Sequence, residues 1–234
     1  MQNPLETALS NPWGTLRTVL DEPLHPGGTA ATEALLDRAA VTEGTRLLDI
    51  GCGAGEGVRL ARQRDAEAIG LDRDPATPIA GVIRGDLTAL PVRDGCVDVV
   101  LAECSICLAG ELDRPLAESR RVLDDGGRLA LSDVVVKGSL PELPEEVAQA
   151  LCLTDFRSET QLKAHIEAAG FEVCDRQDHR DDLLAMRDRL ADRVDYKGLL
   201  GLLGERGQRL LAAIEDLEAA AEDGRISYVS LVAK

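Results

Sequence analysis

Apolar residues along the chain follow two kinds of pattern. Short continuous apolar runs, typical of strands buried on both faces, occupy 45–50, 67–72, 97–103 and 127–136. Apolar residues at helical spacing occupy 29–40, 55–64, 111–123 and 158–169. Because the two patterns alternate, the sequence predicts an α/β fold, a Rossmann-like doubly wound, mostly parallel seven-stranded sheet.

The C-terminal third departs from this alternation. Two more strands are predicted at 171–176 and 226–234, and the stretch between them has apolar residues at helical spacing, broken near "KGLLGLLGERG". We expect a helical hairpin inserted before the last strand, placed to act as a lid. The predicted organisation is an N-terminal helical cap segment at 1–40, a Rossmann-like domain at 41–178 and 225–234, and a helical insertion at 179–224.

The stretch "LLDIGCGAGEG" puts Gly51, Gly53 and Gly55 directly after the first predicted strand. Glycines there allow a tight turn and the close approach of a ligand to the backbone, at the edge where open parallel sheets bind ligands. Asp72 ends the next strand, about twenty residues further on, where a carboxylate can accept hydrogen bonds from both hydroxyls of a ribose. The pattern predicts a cofactor that contains a nucleoside.

Charge and composition restrict the partner. The net charge of −16 argues against nucleic acid or an anionic membrane surface, since both are bound through clustered Lys and Arg. One Trp, two Tyr and two Phe leave little aromatic surface for stacking bases. No apolar run has the length of a membrane span, and "MQNPLETALSNPW" is unlike a secretory signal. We expect a cytoplasmic monomer or homodimer that acts on a small molecule.

Three motifs taken together, "LLDIGCGAGEG", "GLDRD" and "GDLTALPVRDGCVDVVLAE", resemble the class I S-adenosylmethionine-dependent methyltransferases. The resemblance spans roughly residues 40–136 and implies S-adenosylmethionine as the cofactor. The cofactor-binding residues that it implies are Asp49, Gly51, Gly53, Gly55, Asp72, Arg73, Asp86, Leu87 and Glu103.

The same resemblance assigns each part of the cofactor to particular residues. Asp49 and the glycines lie near the methionine moiety, and Asp72 holds the ribose. Asp86 accepts from the adenine amino group, and Leu87 contacts the adenine ring. Glu103 and Cys104, which follow the fourth strand, stand where the family places residues that face the substrate.

The six cysteines match no zinc-ligand spacing, so no metal site is predicted. However, "AECSICLAGELDRPLAESRRVLDDGGRLALSDV" and "ALCLTDFRSETQLKAHIEAAGF" are similar to segments of arsenite methyltransferases, whose cysteines bind trivalent arsenic. The matching cysteines here are Cys104 and Cys152, while the third cysteine of that family falls near Val58. Soft thiolates suit a thiophilic centre, and this resemblance implies Cys104, Cys152 and Glu103 as the catalytic residues.

Two alternatives remain at this point. One is methylation of carbon or oxygen in a small metabolite such as a quinone precursor, and the other is a non-catalytic cofactor-binding subunit. Glu103 and Cys104 argue against the second, because such a subunit needs no titratable residues on its substrate side. His25, in "LHPGG", is expected in a surface loop; its alternative role is that of a base or substrate contact reaching the site from the N-terminal segment.

Overall fold

The computed structural model describes residues 24–75, 80–140, 143–151, 153 and 157–234. The strands of this part of the chain are β1 (Arg46–Ile50), β2 (Glu67–Asp72), β3 (Val82–Arg84), β4 (Val97–Glu103), β5 (Leu123–Val136), β6 (Val173–Asp178) and β7 (Ile226–Ala233). The helices are α1 (Gly28–Arg38), α2 (Glu56–Arg62), α3 (Asp113–Val122), α4 (Glu145–Ala150), α5 (Glu159–Ala168), α6 (Arg180–Arg193), α7 (Tyr196–Gly201) and α8 (Glu205–Glu222), with a 3₁₀ helix at Ile106–Ala109.

The strands form one sheet in the order β3-β2-β1-β4-β5-β7-β6. The first five strands in the chain are parallel, and β7 runs antiparallel to both β5 and β6. Chain order reverses between β1 and β4, and ligands bind outside the carboxyl ends of the strands at such a switch point. The predicted Rossmann-like, mostly parallel seven-stranded sheet is confirmed.

Helices cover both faces of the sheet, which explains the continuous apolar runs. In β4, Val100, Leu101 and Ala102 are consecutive and each is 0% exposed. Val100 belongs to the core beneath α3 and α5, and Leu101 belongs to the core beneath α1 and α2. Neighbouring residues of one strand therefore meet different helix layers, so both faces require apolar side chains.

The structure differs from the sequence-based expectation at three elements. β3 was not predicted, because it is a three-residue edge strand whose residues are partly or fully exposed. β6 begins at Val173, two residues later than expected, after Phe171 has packed into the core. The expected hairpin at 179–224 is wrong, since three helices lie there: the Asp195 side chain accepts from the Gly198 N–H at 2.8 Å and begins α7 between α6 and α8.

The helical insertion packs unevenly on the sheet. α8 forms a third apolar cluster with β7, whereas α6 has no fully buried residue. Of the N-terminal cap segment, α1 lies within the described residues and residues 1–23 lie outside them. In the part of the chain that the structure describes, no helix is both long enough and apolar enough to cross a membrane.

Candidate functional site

The turn after β1 requires its glycines. Gly51, Gly53 and Gly55 have φ angles of 73°, 54° and 81°, the left-handed region that side chains disfavour. The N–H groups of Gly51 and Cys52 both donate to the Leu71 carbonyl, at 2.7 and 3.1 Å. A side chain at Gly51 would also collide with the Ser105 side chain. The turn is therefore fixed against the end of β2 and closely faces the segment after β4.

Asp72, at the end of β2, is held in contact with this turn. Its Oδ2 accepts from the Gly53 N–H at 2.8 Å, and its Oδ1 accepts from the Asp74 N–H at 2.8 Å. Each oxygen keeps a further lone pair, because a carboxylate offers about four acceptor positions. Asp72 can therefore accept from a ligand without giving up its contacts with the protein.

Three carboxylates converge at the carboxyl edge of β1, β2 and β4. Asp49 is only 5% exposed, and burial, followed by the charges of Glu103 and Asp72, raises its pKa well above the ordinary value. The Val58 N–H donates to Asp49, and this hydrogen bond partly offsets the rise in its pKa. Like charges so close together favour a cationic ligand, which would lower the cost of keeping them ionised. A sulfonium with an α-ammonium group fits this edge.

Ser105 lies next to the turn and was not singled out from the sequence. It is 4% exposed, and its buried hydroxyl has no hydrogen-bond partner among the described residues. Leaving a buried hydroxyl unpaired costs about 1–3 kcal/mol. An orphaned hydroxyl against Gly51 is what a polar group of a bound ligand would satisfy. The only available signal in the sequence was a hydroxyl residue two positions beyond a strand end.

Asp86 and Arg73 lie at the β2–β3 side of the same edge. Asp86 Oδ1 accepts from the Thr88 hydroxyl at 2.7 Å and from the Thr88 N–H at 2.8 Å, and its Oδ2 accepts from Arg73 at 3.0 Å. These bonds, that of the Thr88 hydroxyl foremost, lower the pKa of Asp86. Leu87 is 8% exposed and packs into the core below. Asp86 is therefore an ionised hydrogen-bond acceptor next to the buried apolar side chain of Leu87.

The expectation that His25 lies in a surface loop is wrong. His25 is 8% exposed, and its ring stacks on Tyr228 of β7, with 6.5 Å between centroids and 22° between planes. Its Nε2 lies 3.1 Å from Thr32 Oγ1 and 3.8 Å from Glu103 Oε1. Thr32 in turn donates to Glu103 Oε2 at 3.0 Å. The fold brings the N-terminal segment against the end of β4, which no local pattern shows.

Cys104 follows Glu103 with a φ of 48°, unusual for a residue other than glycine. Its N–H donates to the Ser132 carbonyl at 2.9 Å, and its thiol is hydrogen-bonded to the Tyr228 hydroxyl. That hydroxyl donates to Ser132 Oγ at 2.6 Å. Burial, followed by the charges of Cys104 and Glu103, raises the pKa of Tyr228 well above its ordinary value. Cys104 is thus part of a polar cluster with Tyr228 and Ser132, next to Glu103.

The other cysteines are dispersed. Cys107 is a buried residue of the 3₁₀ helix, and its thiol and N–H donate to Asp133. Cys52 packs against Gly70. Cys152 lies outside the described residues, so its expected meeting with Cys104 stays a prediction. Across the described ranges, no three His, Cys, Asp or Glu side chains are grouped so as to hold a metal ion.

The fold is that of an α/β protein with a mostly parallel sheet, and the residues described above lie at its switch point, where sheets of this kind bind ligands. A family model described as a methyltransferase domain matches residues 48–131. The chain is 30% identical over 205 residues to the methyltransferase GfsG of Streptomyces halstedii, covering 80% of this chain and 73% of that protein. The chain therefore belongs to the S-adenosylmethionine-dependent methyltransferases; it is an enzyme and S-adenosylmethionine is its cofactor.

Two further relatives differ in how much of the chain they match. The 27-O-demethylrifamycin SV methyltransferase of Amycolatopsis mediterranei is 29% identical, covering 90% of this chain and 85% of that protein. The arsenite methyltransferase of Halobacterium salinarum is 35% identical over 153 residues, covering 58% of this chain and 39% of that protein. Among solved structures, the [4+2]-cyclase SpnF has a TM-score of 0.76 at 24% identity, covering 98% of this chain and 93% of that one; this likeness shows the fold alone.

Proposed function

We propose that this methyltransferase acts on a hydroxyl oxygen of a small organic molecule. The observation that carries the proposal is an imidazole nitrogen beside a carboxylate at the carboxyl end of β4: His25 Nε2 lies 3.8 Å from Glu103 Oε1. A hydroxyl is a weak nucleophile until a neighbouring group takes its proton, so it needs such a pair. The rifamycin-type relative, which matches nearly the whole chain, is named for a demethylated oxygen in its substrate.

The residues at the edge fit the cofactor. When bound, S-adenosylmethionine supplies a methyl group on a sulfonium, which is already electrophilic. In our proposal Asp72 accepts from the ribose hydroxyls, Asp86 accepts from the adenine amino group, and Leu87 forms the floor beneath the ring. Gly51, Gly53 and Gly55 let the backbone approach the methionine end, and Arg73 keeps Asp86 ionised and in place.

The methionine end and the substrate lie toward β4 in this assignment. Asp49 and Glu103 face the positive charges of the cofactor, and Ser105 donates to its methionine moiety. The protein then has to orient the acceptor oxygen in line with the methyl group and exclude water. We assign the exclusion of water to the helical insertion at 179–224, which lies outside the methyltransferase domain proper.

Trivalent arsenic is the second candidate substrate. Cys104 directly follows β4 at the carboxyl edge of the sheet, and the arsenite methyltransferase of Halobacterium salinarum matches 58% of the chain. In this alternative, Cys104 and Cys152 hold an arsenical with two exchangeable ligands, since Val58 stands where that family has a third cysteine. Hydroxyl methylation is preferred because the Cys104 thiol is hydrogen-bonded to Tyr228, and because the rifamycin-type relative matches 90% of the chain whereas the arsenite methyltransferase matches 58%.

Release of S-adenosylhomocysteine decides between the candidates. The panel contains 27-O-demethylrifamycin SV, a phenolic quinone precursor, arsenite and monomethylarsenite, each tested with the parent enzyme, Cys104→Ser and Cys152→Ser. Cys174→Ser is the matched control, because Cys174 is exposed on β6. We expect turnover with a hydroxyl compound and retention of that activity in all three variants. Turnover of arsenicals alone, lost in Cys104→Ser and Cys152→Ser, would establish the arsenic alternative instead.

A further inference from the structure

The hydrogen bonds of His25 define which ring nitrogen is basic. Nδ1 lies 3.2 Å from the carbonyl oxygen of Pro26. A carbonyl can only accept, so this contact is a hydrogen bond when Nδ1 carries the hydrogen, and the lone pair of the neutral ring is then on Nε2. Nε2 is also the nitrogen that faces Thr32 and Glu103. Nε2 of His25 therefore faces Thr32 and the carboxylate of Glu103 at the end of β4.

The surroundings of His25 are complementary to its protonated form. Once Nε2 is protonated, it donates to Thr32 Oγ1 at 3.1 Å, and the Thr32 hydroxyl donates to Glu103 Oε2 at 3.0 Å. Both ring hydrogens are then bonded, and the carboxylate of Glu103 compensates the positive charge. The side chains of His25 and Glu103 are only 9% and 11% exposed, so water screens this charge pair weakly.

The distance between Nε2 and Glu103 Oε1 shows that these two atoms do not bond each other directly. At 3.8 Å it is too long for a hydrogen bond, but an oxygen placed to one side of this gap can lie about 2.8 Å from both atoms. Glu103 also faces the cofactor side, since its charge raises the pKa of Asp49. An oxygen in this position therefore contacts the basic nitrogen while it borders the methionine end of the cofactor site.

We propose that His25 is the catalytic base, with Thr32 and Glu103 as its positioning residues; this inference rests on the proposed hydroxyl methylation. In the transfer, the hydroxyl oxygen forms a bond to the methyl carbon while the carbon–sulfur bond breaks and its electron pair stays on sulfur. The hydroxyl proton passes to Nε2 of His25. The charge is balanced, because the sulfonium charge is lost as the imidazolium forms beside Glu103.

Tyr228 keeps the imidazole in this orientation. Its ring stacks on His25 from β7, and its hydroxyl is fixed by Ser132 on β5 at 2.6 Å. A base needs a fixed direction as much as basicity, because the proton is transferred over a hydrogen-bond distance. His25 thus comes from the N-terminal segment, and residues of β7 and β5 hold its ring in place.

Steady-state kinetics with the hydroxyl compound that the parent enzyme methylates tests the assignment. We expect His25→Gln to lower kcat about a hundredfold or more, with KM for the hydroxyl compound changed only a few fold. His165→Gln is the matched control, since His165 lies on the surface against Asp113 and is expected to leave kcat unchanged. Titration with S-adenosylhomocysteine should give the same Kd in the parent and in His25→Gln, which shows that the variant folds.

Variants of Thr32 distinguish a positioning role of this residue from a merely structural one. Thr32→Val keeps the shape of the side chain and removes the hydroxyl that links His25 to Glu103, so kcat should fall, whereas Thr32→Ser should restore it. The double variant His25→Gln/Thr32→Val should be no slower than His25→Gln alone, because Thr32 acts through His25. Additive losses in the double variant, or an equal loss in Thr32→Ser, would contradict the positioning role.

Nitrogen NMR of the imidazoles examines the geometric premise without any substrate. The chain has three histidines, so His165→Gln and a His179→Gln variant assign the signals by elimination. We expect neutral His25 to carry its hydrogen on Nδ1; a hydrogen on Nε2 rejects His25 as the base. If the parent methylates a hydroxyl compound and His25→Gln does so equally fast, the base assignment alone fails. If the parent methylates no hydroxyl compound, the proposed function fails, and the base assignment fails with it.

Discussion

The backbone N–H of Gly53 donates to Oδ2 of Asp72 at 2.8 Å, so the turn after β1 and the end of β2 form one rigid unit. The backbone N–H of Asp74 donates to the other carboxylate oxygen, Oδ1. The carboxylate is thereby aimed before any ligand arrives, and pre-organisation of this kind reduces the entropic cost of binding. In our proposal this carboxylate accepts hydrogen bonds from the ribose hydroxyls.

Replacing Asp72 should weaken the cofactor complex. Asp72→Asn keeps the shape but removes the charge that accepts from two hydroxyls, so we expect the affinity for S-adenosylhomocysteine to fall about ten- to a hundredfold. Isothermal titration measures this directly. Asp74→Asn is the matched control, since the Asp74 carboxylate is exposed and pairs with the exposed Arg84. Equal affinity in the parent and in Asp72→Asn would remove the ribose assignment.

Removing the Ser105 hydroxyl should weaken binding of the methionine end of the cofactor only. Ser105→Ala is expected to lower the affinity for S-adenosylhomocysteine roughly tenfold and to leave that for adenosine, which has no methionine part, unchanged. Ser119→Ala serves as the control, because that buried hydroxyl already donates to Pro115 O at 2.7 Å within α3. A similar loss for both ligands would mean that Ser105 supports the turn and does not contact the methionine moiety.

Gly57, at the start of α2, has no room for a side chain. A Cβ there would lie 2.6 Å from Asp49 Oδ2 and 2.8 Å from Leu101 Cδ2. We expect Gly57→Ala to destabilise the protein by about 1–3 kcal/mol, because overpacking outweighs the better helix propensity of Ala. Gly201→Ala, where nothing lies within 4 Å of the added Cβ, should be neutral or stabilising. Chemical denaturation of both variants measures the difference, and equal stabilities would contradict the expected clash.

Asp133 should make stability depend on pH. Burial raises its pKa to about 6 in the folded protein, against an ordinary value of 3.8. Between these values the folded state binds more protons than the unfolded state, so this residue's contribution to stability falls as the pH rises through that window and is constant above it. Relative to Asp133→Asn, the free energy of unfolding of the parent should fall by roughly 3 kcal/mol between about pH 4 and about pH 7. Urea unfolding at a series of pH values measures this, and parallel curves would contradict it.

The charge of the protein predicts that nucleic acid is not a partner. With a net charge of −16, the chain should not retain tRNA or duplex DNA at physiological salt. A mobility-shift assay is sufficient, with a basic protein of similar size as the positive control. A salt-sensitive complex at micromolar concentration would contradict the small-molecule proposal.

Local patterns were sufficient for four of the five parallel strands and for the residues at their carboxyl ends. The continuous runs of β1, β4 and β5 are visible in the sequence because both of their faces are largely buried. The glycine turn is visible because positive φ angles restrict those positions to glycine. Asp49, Asp72 and Glu103 could be named from the sequence, since each lies at or next to the end of a strand and parallel strands end at one edge.

The surroundings of Glu103 were decided only by the tertiary structure. His25 and Tyr228 lie 203 residues apart in the sequence yet stack on one another, and Thr32 reaches Glu103 from α1. Ser105 became notable only when its hydroxyl proved buried without a partner. The sequence by itself determined six of the seven strands, the turn and the acidic strand ends, because these depend on local backbone geometry and on burial. Which groups face those ends was decided by packing between distant segments, and contacts of that kind leave no periodic signal along the chain.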